Sequence, residues 1–277
     1  MLPYIGGKYL QAKWMNEYIP DGFDYYAEVF GGAFWMYLRT DIYKNVKKAY
    51  YNDINVFMVN MFECIKHKEY IIHLDIPSQQ SDLFTLNRDK VITHQNKSNN
   101  KIMMPDFELG TAYPYVLSQI FSGQVINEKI KMFDMKGKYN SKFDTFKNRV
   151  KDEIIQEKMT KVTVKNLDYS DFIKETDHKD MFFYVDPPYF ELEDYYTFNT
   201  FFDHKALAEQ LKNIKGKFML SYYDFDGLAE LFPKDQYTWV EKEFAKRAGV
   251  KMNKKTPKGK EVLIMNYKNQ PNEMKEW

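Results

Sequence analysis

Apolar residues fall into short continuous runs and four-residue periods, and the two kinds alternate along most of the chain. Leu10, Trp14 and Tyr18 share one helical face, so their spacing predicts a helix over Tyr9–Tyr18. The stretch "DYYAEVF" (24–30) reads as a short buried strand, followed by the pair Gly31-Gly32 and an apolar helical stretch, Ala33–Tyr43. Next, "KKAYYNDIN" (47–55) predicts a second strand ending at Asp53, with a helix from Val56 to about Lys68 behind it. Strand, glycine turn, helix and a strand ending in an acid open a doubly wound, Rossmann-like α/β sheet.

The pattern breaks from about Ser78 to Thr160, where little β-alternation is found. There the polar run Asn87–Lys101 predicts an exposed or mobile loop, and Phe143–Met159 predicts a helix. The α/β pattern returns with "KVTVKNLD" (161–168) and "MFFYVDPPY" (181–189). It continues through a helix over Asp203–Ile214 and the strand "KFMLSYYD" (217–224). The strand-like stretches "QYTWVEKEF" (236–244) and "EVLIMNY" (261–267) flank a basic loop and suggest a long hairpin. The chain thus reads as one core, 1–77 and 161–277, carrying an inserted, mainly helical segment, 78–160.

Composition adjusts this picture modestly. An apolar fraction of 44% suffices for a sizeable core. The 22 Tyr and 22 Phe fit either compositional drift or surfaces on which bases stack. A net charge of +1 excludes a generic polycation, yet Lys129–Lys165 holds eleven basic against five acidic residues and Lys242–Lys260 eight against one. Either stretch alone is commonly a solvated face; two of them flanking a candidate site suggest phosphate binding. The single cysteine, Cys64, excludes an intrachain disulfide and suits a reducing cytosol. His67, His73, His94, His178 and His204 lack zinc-ligand spacing, so no metal is expected. No signal peptide or membrane-spanning run is present, so a cytoplasmic protein without a membrane partner is expected.

In open α/β sheets ligands bind at the carboxyl ends of strands. Candidate strands here end on Phe30-Gly31-Gly32, Asp53, Asp168 and Asp186, which together suggest a nucleoside-sized ligand. An acid in the place of Asp53 can accept both hydroxyls of a ribose. The glycine pair is short of a full dinucleotide fingerprint, which favours S-adenosylmethionine over NAD because no pyrophosphate needs a cradle. After the run Met181–Val185 stands Asp186-Pro187-Pro188-Tyr189. The prolines fix the backbone and supply no N–H, so their carbonyls and the Asp186 carboxylate are acceptors without donors, as an exocyclic amino group requires. Tyr189 offers a flat face for a base. The plainer alternative is a strand-ending turn with Asp186 capping backbone and Tyr189 in the core.

These motifs, in this order, resemble those of the Dam-like N6-adenine DNA methyltransferases of bacteria and phages. "YIGGK" is similar to the family's amino-terminal segment, which implies that Tyr4 and Lys8 contact S-adenosylmethionine. "EVFGG" resembles the cofactor's glycine turn (Phe30, Gly31, Gly32) and "YNDIN" its ribose acid, Asp53. "NLDYSDF" resembles the acidic segment near the cofactor's adenine, which implies Asp168 and Tyr169. "DPPY" is similar to the catalytic tetrapeptide and "KEVLIMNY" to the terminal strand. One departure is Phe34, which stands where the family usually has a further glycine. The resemblance implies methyl transfer to the N6 amine of a flipped adenine in double-stranded DNA, without a metal. The segment 78–160 would carry target recognition, with Lys136, Lys138 and Lys142 there, and Lys254 and Lys255 in the late basic loop, on phosphates. Rival readings are N4-cytosine methylation, which commonly has Ser in the place of Asp186, methylation of RNA, and a DNA-binding protein that has lost catalysis.

Overall fold

The computed structural model describes residues 7–97, 101–120, 126–133, 142–189, 202–245 and 258–268. Among them, β1 (Tyr25–Glu28), β2 (Lys48–Asn52), β3 (Val162–Lys165), β4 (Met181–Val185), β5 (Lys217–Tyr223), β6 (Thr238–Ala245) and β7 (Lys258–Met265) form one sheet. Their order is β3-β2-β1-β4-β5-β7-β6. The first five strands run parallel, while β7 is antiparallel to β6, as the hairpin pattern suggested, and also to β5. All five residues of β4 are buried. That explains their unbroken apolar run, since a central parallel strand is covered on both faces.

From β1 the chain builds outward to β2 and β3, then returns to place β4 on the other side of β1, with Glu28 beside Tyr184. This reversal is the topological switch point at which such sheets open a crevice. It sets the glycine turn after β1 next to the Asp-Pro-Pro-Tyr turn after β4.

The helices differ from the sequence reading in instructive ways. The first predicted helix is only α1 (Ala12–Met15) running into a 3-10 turn, Asn16–Tyr18. Ala33–Tyr43 contributes to two short helices, α2 (Trp35–Arg39) and α3 (Ile42–Asn45), parted by extended backbone at Thr40. Helix α4 (Val56–Ile65) matches its prediction and is capped by the Asn55 side chain, which accepts from the Phe57 and Met58 N–H groups. A short α5 (Tyr70–His73) follows.

The loop predicted over Asn87–Lys101 is corrected: its first part completes α6 (Ser81–Gln95). Phe84, Asn87, Val91 and His94 form the buried stripe of that helix, at three- and four-residue spacing. A window opening at Asn87 excludes Phe84 and leaves Val91 and Ile92 as its first apolar residues among polar neighbours, too few to show the stripe.

Helix α7 (Phe107–Gln119) contains Pro114, which has no N–H for the Gly110 carbonyl one turn earlier. The Tyr70 hydroxyl donates to that carbonyl instead. The same Gly110 lets α7 approach α4, because a Cβ there would run into the Cys64 sulfur. The predicted helix Phe143–Met159 is split into α8 (Lys142–Lys151) and α9 (Glu153–Thr160) by Asp152, whose carboxylate caps Ile154 and Ile155. The remaining helices are α10 (Tyr169–Thr176), α11 (His204–Lys212) and α12 (Leu228–Leu231). No described helix is long and apolar enough to cross a membrane.

Phe34, the departure noted in the glycine turn, has φ 58° and ψ 34°, the left-handed conformation that glycine adopts freely. Its ring is fully buried and meets Tyr37, Tyr51 and Phe62 at centroid distances of 4.8, 5.0 and 5.6 Å. The turn therefore keeps a glycine-like backbone while the side chain joins the core. Phe34→Gly relieves a strain of roughly 1–2 kcal/mol but removes a buried aromatic worth about 3–5 kcal/mol. The variant is expected to lose about 1–4 kcal/mol in urea unfolding, burial outweighing strain. A more stable Phe34→Gly would reverse that ranking.

Candidate active site

The glycine turn is bound to the end of β2. Gly31 N–H donates to the Asn52 carbonyl (2.6 Å), and the Tyr51 hydroxyl donates to the Gly32 carbonyl (2.9 Å). Gly31 lies so close to the Tyr51 ring that a Cβ would collide with it. Asp53 accepts the Gly32 N–H on one carboxylate oxygen (2.7 Å) and the Asn55 N–H on the other (2.8 Å). The predicted ribose acid is thus already part of the turn, and burial pushes its carboxyl up to about 6 against hydrogen bonds from the Asn55, Gly32 and Ile54 N–H groups.

Asn52, which the sequence reading passed over, holds three strand ends together. Its amide donates to the Val29 carbonyl (3.0 Å) and the Leu167 carbonyl (3.1 Å), and its oxygen accepts the Leu167 N–H (3.0 Å). A buried polar residue closing a strand, just before an acid, was the available signal. Beyond it Asp168 is exposed and caps α10 by accepting the Ser170 N–H (2.9 Å). Tyr169 meets Phe30 at 5.4 Å, and Phe202 closes the corner at 5.6 Å from Phe30 and 5.4 Å from Tyr169.

Across the switch point, the Lys8 ammonium donates to Asp186 Oδ1 at 2.8 Å and lies 3.8 Å from Glu261 Oε1. Tyr189 donates its hydroxyl to the same Glu261 oxygen at 2.6 Å, and Ser221 donates its hydroxyl there too. Glu261 lies on β7 and is 2% exposed, and nothing in its local pattern marked it for the site. Burial is the largest influence on Asp186 and pushes its carboxyl up to about 6; Lys8 pulls it down and Glu261 pushes it further up. Pro187 and Pro188 are buried, and the Tyr222 hydroxyl, which also contacts His204, donates to the Pro188 carbonyl at 3.4 Å.

Tyr189 is placed differently from an open stacking platform. Its ring is 4% exposed, stacks on Tyr222 at 5.6 Å, meets Tyr223 at 4.3 Å and has the Lys8 ammonium over it at 4.7 Å. Lys142 is the first residue of α8. Tyr4, Lys136, Lys138, Lys254 and Lys255 lie outside the described residues. Among the described residues no cluster of three or more His, Cys, Asp or Glu is disposed to hold a metal ion.

Below the glycine turn, Glu28 is buried and accepts the Tyr37 N–H (2.7 Å) and the Tyr26 hydroxyl (3.0 Å). Burial dominates these bonds and pushes its carboxyl from 4.5 up to about 8. The folded chain therefore holds a proton there that the unfolded chain releases, and stability falls as pH rises from about 4.5 to about 8. Glu28→Gln keeps an acceptor without the titration. Its melting temperature, set against wild type, is expected to gain progressively across that window; a constant difference would sink the assignment.

A parallel sheet with one reversed strand, and a glycine turn and an acid-diproline turn on either side of its switch point, defines a Rossmann-like methyltransferase. The family model of the D12 class N6 adenine-specific DNA methyltransferases matches residues 4–248, and the chain belongs to that family. It is an adenine-N6 DNA methyltransferase, as the Dam-like resemblance implied. A comparison with curated proteins returned no match.

Proposed function

We propose that the chain transfers a methyl group from S-adenosylmethionine to the N6 amine of adenine at specific sites in double-stranded DNA. The observation that carries this reading is Asp186, held by Lys8 at the carboxyl end of β4 and beside the switch point. S-adenosylmethionine supplies a methyl group already activated on sulfur. The residues fit such a group: Phe30, Tyr169 and Phe202 form an aromatic corner suited to a purine. Asp53 retains acceptor capacity, since a carboxylate has about four lone-pair sites and the turn engages it with the Gly32, Asn55 and Ile54 N–H groups.

The adenine amine is a poor nucleophile because its lone pair is delocalised into the ring. Asp186 and the Pro187 carbonyl, accepting its two hydrogens, favour the tetrahedral nitrogen of the transition state. The prolines keep competing N–H donors out of that turn. Flipping the base costs a few kcal/mol, and Tyr189 can offset part of it by stacking once Lys8 leaves its ring. The segment 78–160, with Lys136, Lys138 and Lys142, reads the target, and Lys254 and Lys255 assist on phosphates. Such contacts orient the enzyme without specifying sequence.

The test is to expose unmodified plasmid to the purified chain and S-adenosylmethionine, then map modified bases by single-molecule sequencing. N6-methyladenine at one recurring short sequence is expected. Unmodified DNA, or methylated cytosine, would refute the reading.

A further inference from the structure

The residue least explained by the reaction so far is Glu261. It is buried, lies on β7 rather than in any turn of the site, and gathers three donors: Tyr189, Ser221 and, at longer range, Lys8. Lys8 is the shared element. Its ammonium is 2.8 Å from Asp186 and 3.8 Å from Glu261, so it stands between two carboxylates and nearer the one that chemistry needs. An amine presenting its hydrogens to Asp186 must compete with that ammonium. Moving a 4%-exposed ammonium away from Asp186 would leave a buried charge without compensation unless another anion receives it.

We infer that Glu261 is a positioning residue for methyl transfer: it takes over the Lys8 ammonium when Asp186 turns to the substrate amine, while holding Tyr189 by its hydroxyl. The inference rests on the reading of Asp186 as the acceptor of the amine's hydrogens. The displacement required of Lys8 is small, because the receiving oxygen already lies 3.8 Å away. The same movement draws the ammonium off the Tyr189 ring face, over which it now lies at 4.7 Å. One shift would thus prepare both the carboxylate and the aromatic ring. A plainer role, that Glu261 only accepts buried hydroxyls, predicts that its negative charge is dispensable.

Glu261→Gln separates the two, because the amide oxygen can still accept from Tyr189 and Ser221 but no longer offers a charge to Lys8. At pH 8 we expect kcat for DNA methylation to fall about 10- to 100-fold, the scale on which a supporting polar partner alters the group it orients. KM for DNA and the melting temperature should change little. Ser221→Ala removes a hydroxyl that Glu261 accepts and that also meets the Tyr184 side chain, and leaves the charge in place, so its kcat should stay within about threefold of wild type. A second readout needs no turnover. Asp186 faces Lys8, Glu261 and Tyr189, with Tyr184, Tyr223 and Glu28 further off. Removing the Glu261 charge deletes a repulsion and leaves Lys8 to Asp186 alone, so both changes lower the pH at which Asp186 titrates. Carbon-13 NMR of the Asp186 carboxyl in cofactor-free protein should show that shift in Glu261→Gln and not in Ser221→Ala.

Wild-type kcat in a folded Glu261→Gln, an unmoved Asp186 titration, or an equal loss in Ser221→Ala would each overturn the inference. Should the Gln chain not fold, Glu261→Asp decides. Its shorter reach is expected to lower kcat about three- to tenfold, as one weakened polar contact does, and wild-type turnover would overturn the inference. A wild-type chain that transfers no methyl group to DNA would instead sink the reading of Asp186 itself.

Discussion

Asp186→Asn is expected to lose methyl transfer by about 10²–10³-fold, the effect of deleting one preorganised polar contact to a transition state. Its melting temperature should remain close to wild type. The two expectations follow from the same electrostatics. Burial pushes the Asp186 carboxyl up to about 6 despite the Lys8 ammonium, so its surroundings as a whole disfavour the charged form. A group raised in this way contributes stability below its unfolded value near 3.8 and loses it as pH climbs through about 6. At pH 8 the charge is a cost to the fold, and replacing it with a neutral amide offsets the ion pair that Lys8 loses. Activity has the opposite requirement, because the carboxylate must be ionised to accept the amine's hydrogens. The wild-type rate should therefore rise through about pH 6 to a plateau, while the Asn variant should lack that limb. If Asp186 only capped its turn, Asn would serve, since both side chains do so. Tritiated methyl transfer to DNA, measured between pH 5 and about 9, decides between them: near-wild-type turnover in a folded Asp186→Asn returns the turn to a purely structural role.

Asp53→Ala is expected to weaken S-adenosylmethionine binding about tenfold or more through loss of a charged acceptor for ribose hydroxyls. It should also lower stability, because the Gly32 and Asn55 N–H groups lose their partner. Each buried donor left unsatisfied costs about 1–3 kcal/mol. The two effects can be separated with Asp53→Asn, whose carbonyl can still accept one of those N–H groups. That variant should recover part of the stability and little of the affinity. Titration calorimetry supplies the affinities and urea unfolding the stabilities. Binding of the cofactor at wild-type strength by a folded Asp53→Ala would remove Asp53 from its site and leave it as a clamp on the glycine turn.

Local periodicity was enough to place β1, β2 and β4, because each is a largely buried run closed by glycine, proline or an acid, and the final hairpin, whose two strand-like stretches flank a basic loop. It also exposed Asp186 and Asp53, since a carboxylate at the end of an apolar run is chemically conspicuous. Family resemblance then brought in Lys8 and the expected activity. Other features were out of reach for stated reasons. The α6 stripe was missed because its polar half was read without Phe84. Left-handed backbone at Phe34 is invisible in a residue type that rarely adopts it. The rescue of the Gly110 carbonyl by Tyr70, 40 residues away, depends on where two helices cross. Above all, Lys8 and Asp186 are 178 residues apart, and Glu261 lies on a strand that reads as ordinary core. Side-chain period specifies which face of a strand is buried, but not which strand will be its neighbour. That choice is made by the crossover returning β4 to β1 and by the antiparallel entry of β7 beside β5. Those two pairings bring one ammonium between two carboxylates, a charge arrangement that exists only once the sheet has closed around it.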